Sequence, residues 1–377
     1  MIIYFRRFKM KTISQLIAAA WLVLCAEMAM ANSLGNSCVA DLRDIDSFMH
    51  VNDSSARSIG MAHRERINEA FETGVRSALG VDSQQACEQV LRSYLNAWRP
   101  GHVGITTTNR KILEKNGNLT ADSPSRPSRA PTLEILNSET IVLTFKSFNG
   151  EYKDDIEQLL SLQESALKSH PYWIIDLREN DGGNDSTYAP ILPWIMSGDF
   201  IQFNAQWLAT AANISANENI CAITGGGPIC KKMIEPVLKA LRSAAHGDII
   251  FANGESATEI IKIPHLKFAP KRVAVLADKE CNSSCEQFLL AAKQSMKIKL
   301  FGRPSGGNLD YSNLRPHPLP SGERVLYYAT SVSSRLPLMP IDQIGVQPDI
   351  LLPAPRNSIE KAAEITKISN WLQHGIF

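Results

Sequence analysis

The six residues Cys281-Asn-Ser-Ser-Cys-Glu286 place two hydroxyls, two thiols and a carboxylate where two opposite sequence patterns meet. Before them, Arg272-Val-Ala-Val-Leu-Ala-Asp278 is an apolar run of β type; after them, Gln287 to Met296 has a helical pattern. A buried strand, a tight turn and a helix would set a small side chain at a helix N-terminus. There, unpaired N–H groups and the positive dipole end favour developing negative charge. An acyl-transfer serine needs that setting. Ser283 with Glu286 three residues on is also the spacing of a capping box, which helices use for stability alone. Ser284 is a rival nucleophile and Cys285 a third option, so the turn leaves the attacking atom open.

Two further stretches could complete such a centre. Tyr172-Trp-Ile-Ile-Asp176 is a second buried strand that runs into Leu177-Arg-Glu-Asn-Asp-Gly-Gly-Asn184. A glycine pair directly after a strand, here Gly182 and Gly183, lets the backbone approach a ligand and point N–H groups at it. An ordinary strand-to-helix turn reads the same way. His102 stands in Gly101-His-Val-Gly104. A lone histidine beside a turn is more often solvated or capping, yet its pKa range suits a base near neutral pH.

The elements that must position these residues follow from the rest of the chain. The 377 residues are 44% hydrophobic and 20% charged, an ordinary globular composition long enough for two domains or one large one. Net charge is +1, of which residues 1–31 hold +3, leaving −2, which predicts neither a nucleic-acid partner nor an anionic membrane surface. Residues 1–31 read as a signal peptide: a basic Arg6–Lys11 segment, an apolar run from Ile13 to Cys25, and a small-x-small site at Ala29-Met-Ala31. An uncleaved membrane anchor is the alternative. The expectation is an exported protein, periplasmic or extracellular, free of the membrane once cleaved.

Beyond Cys25 six cysteines remain, an even number that suggests disulfides in an exported chain. Neighbour pairing would join Cys38 to Cys87, Cys221 to Cys230 and Cys281 to Cys285, the last bracing the turn that holds both serines. No Cys/His spacing resembles a zinc site, and neither a metal nor another cofactor is expected. Residues 32–112 read as a helical N-terminal domain and 113–132 as a polar, proline-rich linker. Residues 133–355 form an α/β core with an insertion at 202–270, and 356–377 a terminal helix. In the core, Thr140–Phe145, a helix over Asp154–Lys168 and Tyr172–Asp176 make a βαβ unit, so the sheet is at least partly parallel.

Several stretches in one order resemble the carboxyl-terminal-processing (tail-specific) serine peptidase family, with its tricorn-core and interphotoreceptor retinoid-binding-protein branches. Ile174-Ile-Asp-Leu-Arg-Glu-Asn-Asp-Gly-Gly183 is similar to its Asp-Leu-Arg-x-Asn-x-Gly-Gly signature, and the serine three residues before Glu286 to its nucleophile segment. Gly302 with Ser305-Gly-Gly307 looks like its Gly-x-x-Thr-x-Gly loop, Gly345-Val-Gln-Pro-Asp349 like its Gly-Val-x-Pro-Asp entry, and Gly101-His-Val-Gly104 like its Gly-His-x-Gly. The resemblance implies a helical N-terminal segment on a ClpP/crotonase-like βαβ core with a mixed, partly parallel sheet. It also implies a polypeptide substrate. In the processing-protease branch a lysine 25 residues after the serine is the base; counting from Ser283 reaches Asn308. The chain therefore looks like the branch that uses a histidine, here His102, with Asp342 where those relatives often carry glutamate. The family's peptide-binding module, about 80 residues for a domain that holds its own core, has no room between His102 and Thr140.

On this reading Ser283 attacks, His102 is the base, Asp342 fixes the imidazole, and amides of Gly182 or Gly183 and of Ser284 hold the oxyanion. Two other functions compete with a serine peptidase: a non-catalytic ligand-binding protein on the same fold, motivated by the absent lysine, and a hydrolase of another acyl bond. Nothing in the sequence sets an oligomeric state.

Overall fold

The computed structural model describes residues 33–107, 129–224, 226–254, 256–264, 266, 268 and 270–375. The expected signal segment 1–31 and the polar stretch 113–128 lie outside the described residues. The chain divides into two compact units, one taking in residues 33–51, 56–107 and 316–328, the other residues 52–55, 129–315 and 329–375.

The first unit is mainly helical. A helix through residues 33–52 packs with Arg64–Leu79 and Gln84–Trp98. The last of these starts at Ser83, whose side chain accepts from the Ala86 N–H, and it stops before Pro100. Its buried residues Cys87, Leu91, Tyr94, Leu95 and Trp98 recur at three- and four-residue steps, the stripe that a core-facing helix must present. Cys38 and Cys87 are disulfide-bonded across this core. The short strand Gly104–Thr107 pairs antiparallel with Arg324–Tyr327, and buried Asp41 receives the Arg324 guanidinium at 2.8 Å.

The second unit is built on a six-stranded sheet in the order Ile350–Leu351, Ile298–Gly302, Arg272–Ala277, Tyr172–Asp176, Thr140–Thr144, Thr132–Ile135. The first five strands are parallel and the last is antiparallel. The central strands are apolar on both faces, as parallel strands covered by helices must be. Ile141, Leu143, Trp173, Ile175, Val273 and Val275 pack with Phe288 and Leu289. The alternate residues Val142, Ile174, Ala274 and Leu276 pack with Ile368 and Leu372 of the terminal helix Ser358–His374. The result is an α/β/α layering. Register sets Asp176 opposite Leu276, so the loops that follow the two strands leave the sheet at the same end.

One local expectation is corrected. The helix expected over Asp154–Lys168 is broken into Lys153–Leu162 and Glu164–Ser169. The Cys221–Cys230 disulfide ties the helix Ala211–Ile223 to the first turn of Gly227–Ser243. Pro236 lies inside that second helix, where it removes one backbone donor.

A buried ionic cluster fastens the terminal helix to the sheet. Arg178, just past the strand end, donates from Nε to Asp176 Oδ1 at 2.9 Å and from Nη1 to Glu364 Oε2 at 2.9 Å. Arg303 also reaches Glu364. Arg178→Met should therefore destabilise the protein by about 3–5 kcal/mol, because it leaves carboxylates buried and uncompensated. Urea unfolding checks this, and a change below about 1 kcal/mol, the size of an exposed pair, would refute the clamp.

Candidate active site

The apolar strand Arg272–Ala277 ends in a turn that delivers Ser283 to the start of the helix Ser284–Ala292. Ser283 has φ 55° and ψ −118°, a conformation that a non-glycine residue holds only when its surroundings force it. A strained strand-to-helix elbow is how a nucleophilic serine is presented in other hydrolases. Two constraints impose it here. The Cys281–Cys285 disulfide closes the turn with its Cα atoms 5.3 Å apart. The Ser283 N–H donates to Glu286 Oε2 at 2.9 Å, the carboxylate half of the expected capping box. With Cys285 in a disulfide, no thiol is left there to attack.

Glu286 does far more than cap. It is fully buried and accepts three further hydrogen bonds: from Ser305 Oγ at 2.6 Å, from the Gly307 N–H at 2.7 Å and from the Asn308 N–H at 2.9 Å. Burial pushes its carboxyl above the usual range while these donors pull the other way. Ser305 Oγ in turn accepts from the Val346 N–H at 2.7 Å. The Asp342 carboxylate accepts from the Leu309 and Asp310 N–H groups at 2.8 and 2.7 Å. Asp310 reciprocates, accepting from the Ile341 and Asp342 N–H groups at 2.8 and 2.9 Å. The serine turn, the 305–310 loop and the 341–346 loop are thus laminated by three buried or half-buried carboxylates.

The glycine pair lies against this turn. A Cβ on Gly182 (φ 89°) would come within 2.4 Å of the Asn282 carbonyl oxygen and 3.0 Å of Ser283 Cβ. One on Gly183 (φ 145°) would run into the Phe148 carbonyl group at 2.1 Å. Only glycine fits at either place. The two amides then part company. Gly182 N–H donates to Asn180 Oδ1 at 2.9 Å, so it is engaged within the loop. The N–H groups of Gly183 and Ser284 have no hydrogen-bond partner among the described residues.

Ser284 is buried, and its hydroxyl donates to Asp185 Oδ1 at 2.5 Å, whereas Ser283 is half-buried. Protein packed around Asp185 pushes its carboxyl up to about 6, with the hydroxyls of Ser284 and Tyr188 pulling it down. Sequence reasoning singled out neither Asp185 nor Tyr188, because nothing in their spacing marks them. Asn308, at the position where a lysine base would stand, donates from Nδ2 to Asn282 Oδ1 at 2.5 Å. Hydrogen bonds therefore join Ser283, Glu286 and Asn308, while Asp342 holds the next two residues of the same loop, Leu309 and Asp310. His102 belongs to the first unit, half-buried, with φ 49° directly after Gly101 at φ 81°.

Because each Glu286 oxygen serves two donors, Glu286→Gln would aim an NH2 group at two of them. The substitution should cost about 2–4 kcal/mol, since hydrogen bonds to a charged group are each worth about 1.5–3 kcal/mol. Chemical denaturation checks this; wild-type stability would show that the loops are held by other means.

Comparison with known proteins follows the same elements. A search of curated protein sequences finds no match. Among solved structures, the chain is 10% identical to mature CPAF complexed with lactacystin, over 90% of this chain and 99% of that one, with a TM-score of 0.61. A lipoprotein from Streptococcus agalactiae is 17% identical over 89% and 96% of the two chains, with a TM-score of 0.45. The photosystem II D1 C-terminal processing protease is 15% identical over 67% and 48%, with a TM-score of 0.32. Only the first superposes closely enough to bear on the fold. The profile of peptidase family S41 matches residues 139–352, more than half of the chain and the stretch that builds five of the sheet's six strands, the glycine pair, the serine turn and both laminated loops; the chain belongs to peptidase family S41.

Proposed function

We propose that the chain is an exported serine peptidase cutting unfolded or carboxyl-terminal polypeptide segments, with Ser283 as nucleophile, His102 as base and Asp342 orienting it. The observation that carries this reading is the Ser283 elbow, held in a strained conformation beside two unengaged N–H groups, those of Gly183 and Ser284. In the reaction, Ser283 Oγ attacks the scissile carbonyl as His102 takes its proton. The two amides receive the oxyanion, and His102 returns the proton to the leaving amine. Water then hydrolyses the acyl-enzyme by the same route. Asn308 supports the histidine branch of the family over the lysine branch, because its side chain is an amide tied to Asn282. The Asp342 carboxylate is held rigid by two amide donors, as a group that orients an imidazole must be. Export is supported by the three disulfides, which persist in oxidising compartments.

Treating the mature protein with a fluorophosphonate and mapping the adduct by mass spectrometry should place it on Ser283. Ser283→Ala should abolish labelling and peptide hydrolysis, while Ser284→Ala keeps measurable activity. An adduct on Ser284 would shift the nucleophile by one residue, and no adduct at all would favour a binding protein on this fold.

The base is tested separately. His102→Gln should lower kcat by several orders of magnitude without loss of stability, and adding Asn308→Lys should not restore it. The kcat/KM of the wild type should fall on the acid side as an imidazole protonates. A His102→Gln protein of near wild-type activity would eliminate the histidine mechanism.

A further inference from the structure

The two N–H groups assigned to the oxyanion come from different parts of the chain, and one side-chain bridge spans them. Gly183 lies in the loop after Tyr172–Asp176, two residues before Asp185, which opens the short helix Asp185–Tyr188. Ser284 opens the helix after the nucleophile. Ser284 Oγ donates to Asp185 Oδ1 at 2.5 Å, and the Tyr188 hydroxyl pulls the same carboxyl down. Tyr188 is packed edge-on to Phe288 of the serine helix, with ring centroids 5.4 Å apart, and edge-on to Phe148 at 5.3 Å. Phe148 is also where the Gly183 backbone is pinned: the Phe148 N–H donates to the Gly182 carbonyl, and the Asn184 N–H donates to the Phe148 carbonyl, both at 2.8 Å.

We infer that Asp185 and Ser284 are positioning residues that fix the aim of the two oxyanion amides relative to each other. The inference rests on Ser283 being the nucleophile. The bridge leaves substrate binding alone, because neither side chain needs to touch the peptide. It acts in the transition state, where a donor a few tenths of an ångström out of line loses most of its value in a site that cannot reorganise. The side chain of Ser284 is then a working part of the site. Its hydroxyl holds Asp185 while its amide holds the oxyanion.

The test uses the full mature protein with Ser284→Ala, Asp185→Ala, the Ser284→Ala/Asp185→Ala double variant and Asp185→Asn. Measured are kcat and KM on a peptide substrate, the rate of fluorophosphonate labelling at Ser283, and the melting temperature. A misaimed donor should cost about 10- to 50-fold in kcat and in labelling rate, short of the ~10²–10³ for losing one outright. KM should stay within about twofold, the signature of an interaction made only in the transition state. Since both single variants break one bridge, the double variant should be no slower than either alone. Asp185→Asn keeps an oxygen acceptor for Ser284 and should recover most of the rate. A merely structural role predicts lower melting temperatures with neither the kcat-specific loss nor the rescue, and that result overturns the inference. Wild-type labelling rates in Asp185→Ala overturn it alone, while absence of labelling at Ser283 in the wild-type protein overturns the nucleophile assignment and this inference with it.

Discussion

A carboxylate buried without water has to be satisfied by donors, and Glu286 draws four of them from two different loops. One is the amide of the nucleophile candidate itself. The other three come from Ser305, Gly307 and Asn308, which lie 19 to 22 residues away in sequence. Withdrawing any donor would leave charge uncompensated in a place of low dielectric, which is far costlier than breaking an exposed bond. The loops are therefore held to the serine turn by the same interaction that holds the turn in shape. The strained φ of Ser283 survives because this carboxylate and the flanking disulfide over-determine it.

The sequence features that resemble a peptidase family turn out to divide between chemistry and support. In the Asp-Leu-Arg-Glu-Asn-Asp-Gly-Gly run, Asp176 and Arg178 fasten the strand end to the terminal helix. Asn180 donates to the Phe145 carbonyl and accepts from the Gly182 amide, which shapes the loop. The Gly183 amide has no hydrogen-bond partner among the described residues. Ser305 supports Glu286, and Asp342 and Asp310 exchange amide donors. Most of the residues that make the family recognisable hold the loops around the serine turn in place. A site built on preorganised dipoles requires that proportion, since aim has to be set before the substrate arrives.

The sheet supplies the common origin. Parallel strands Tyr172–Asp176 and Arg272–Ala277 are neighbours in register, so both loops rise from one end, the usual place for ligands in open α/β sheets. Helices on both faces explain why these strands are unbroken apolar runs.

Apolar runs of β type, three-four periodicity and the punctuation of glycine and proline are local, and the sequence determined from them the α/β class, the central strands, the serine turn and the terminal helix. The even cysteine count suggested disulfides but left their connectivity open, and the structure joins each cysteine to its neighbour in sequence. What only the tertiary structure decided depends on contacts between segments far apart in the chain. Residues 316–328 join the helical unit although they follow the core in order. Gly182 and Gly183 are adjacent and identical in type, yet one amide turns inward to Asn180 and the other does not. Asp185 carries no mark in the sequence and becomes the partner of Ser284 across 99 positions. Glu286 read as a helix cap and proved to be the centre of the site, because a capping spacing specifies one donor and is silent on the three that the fold brings from elsewhere.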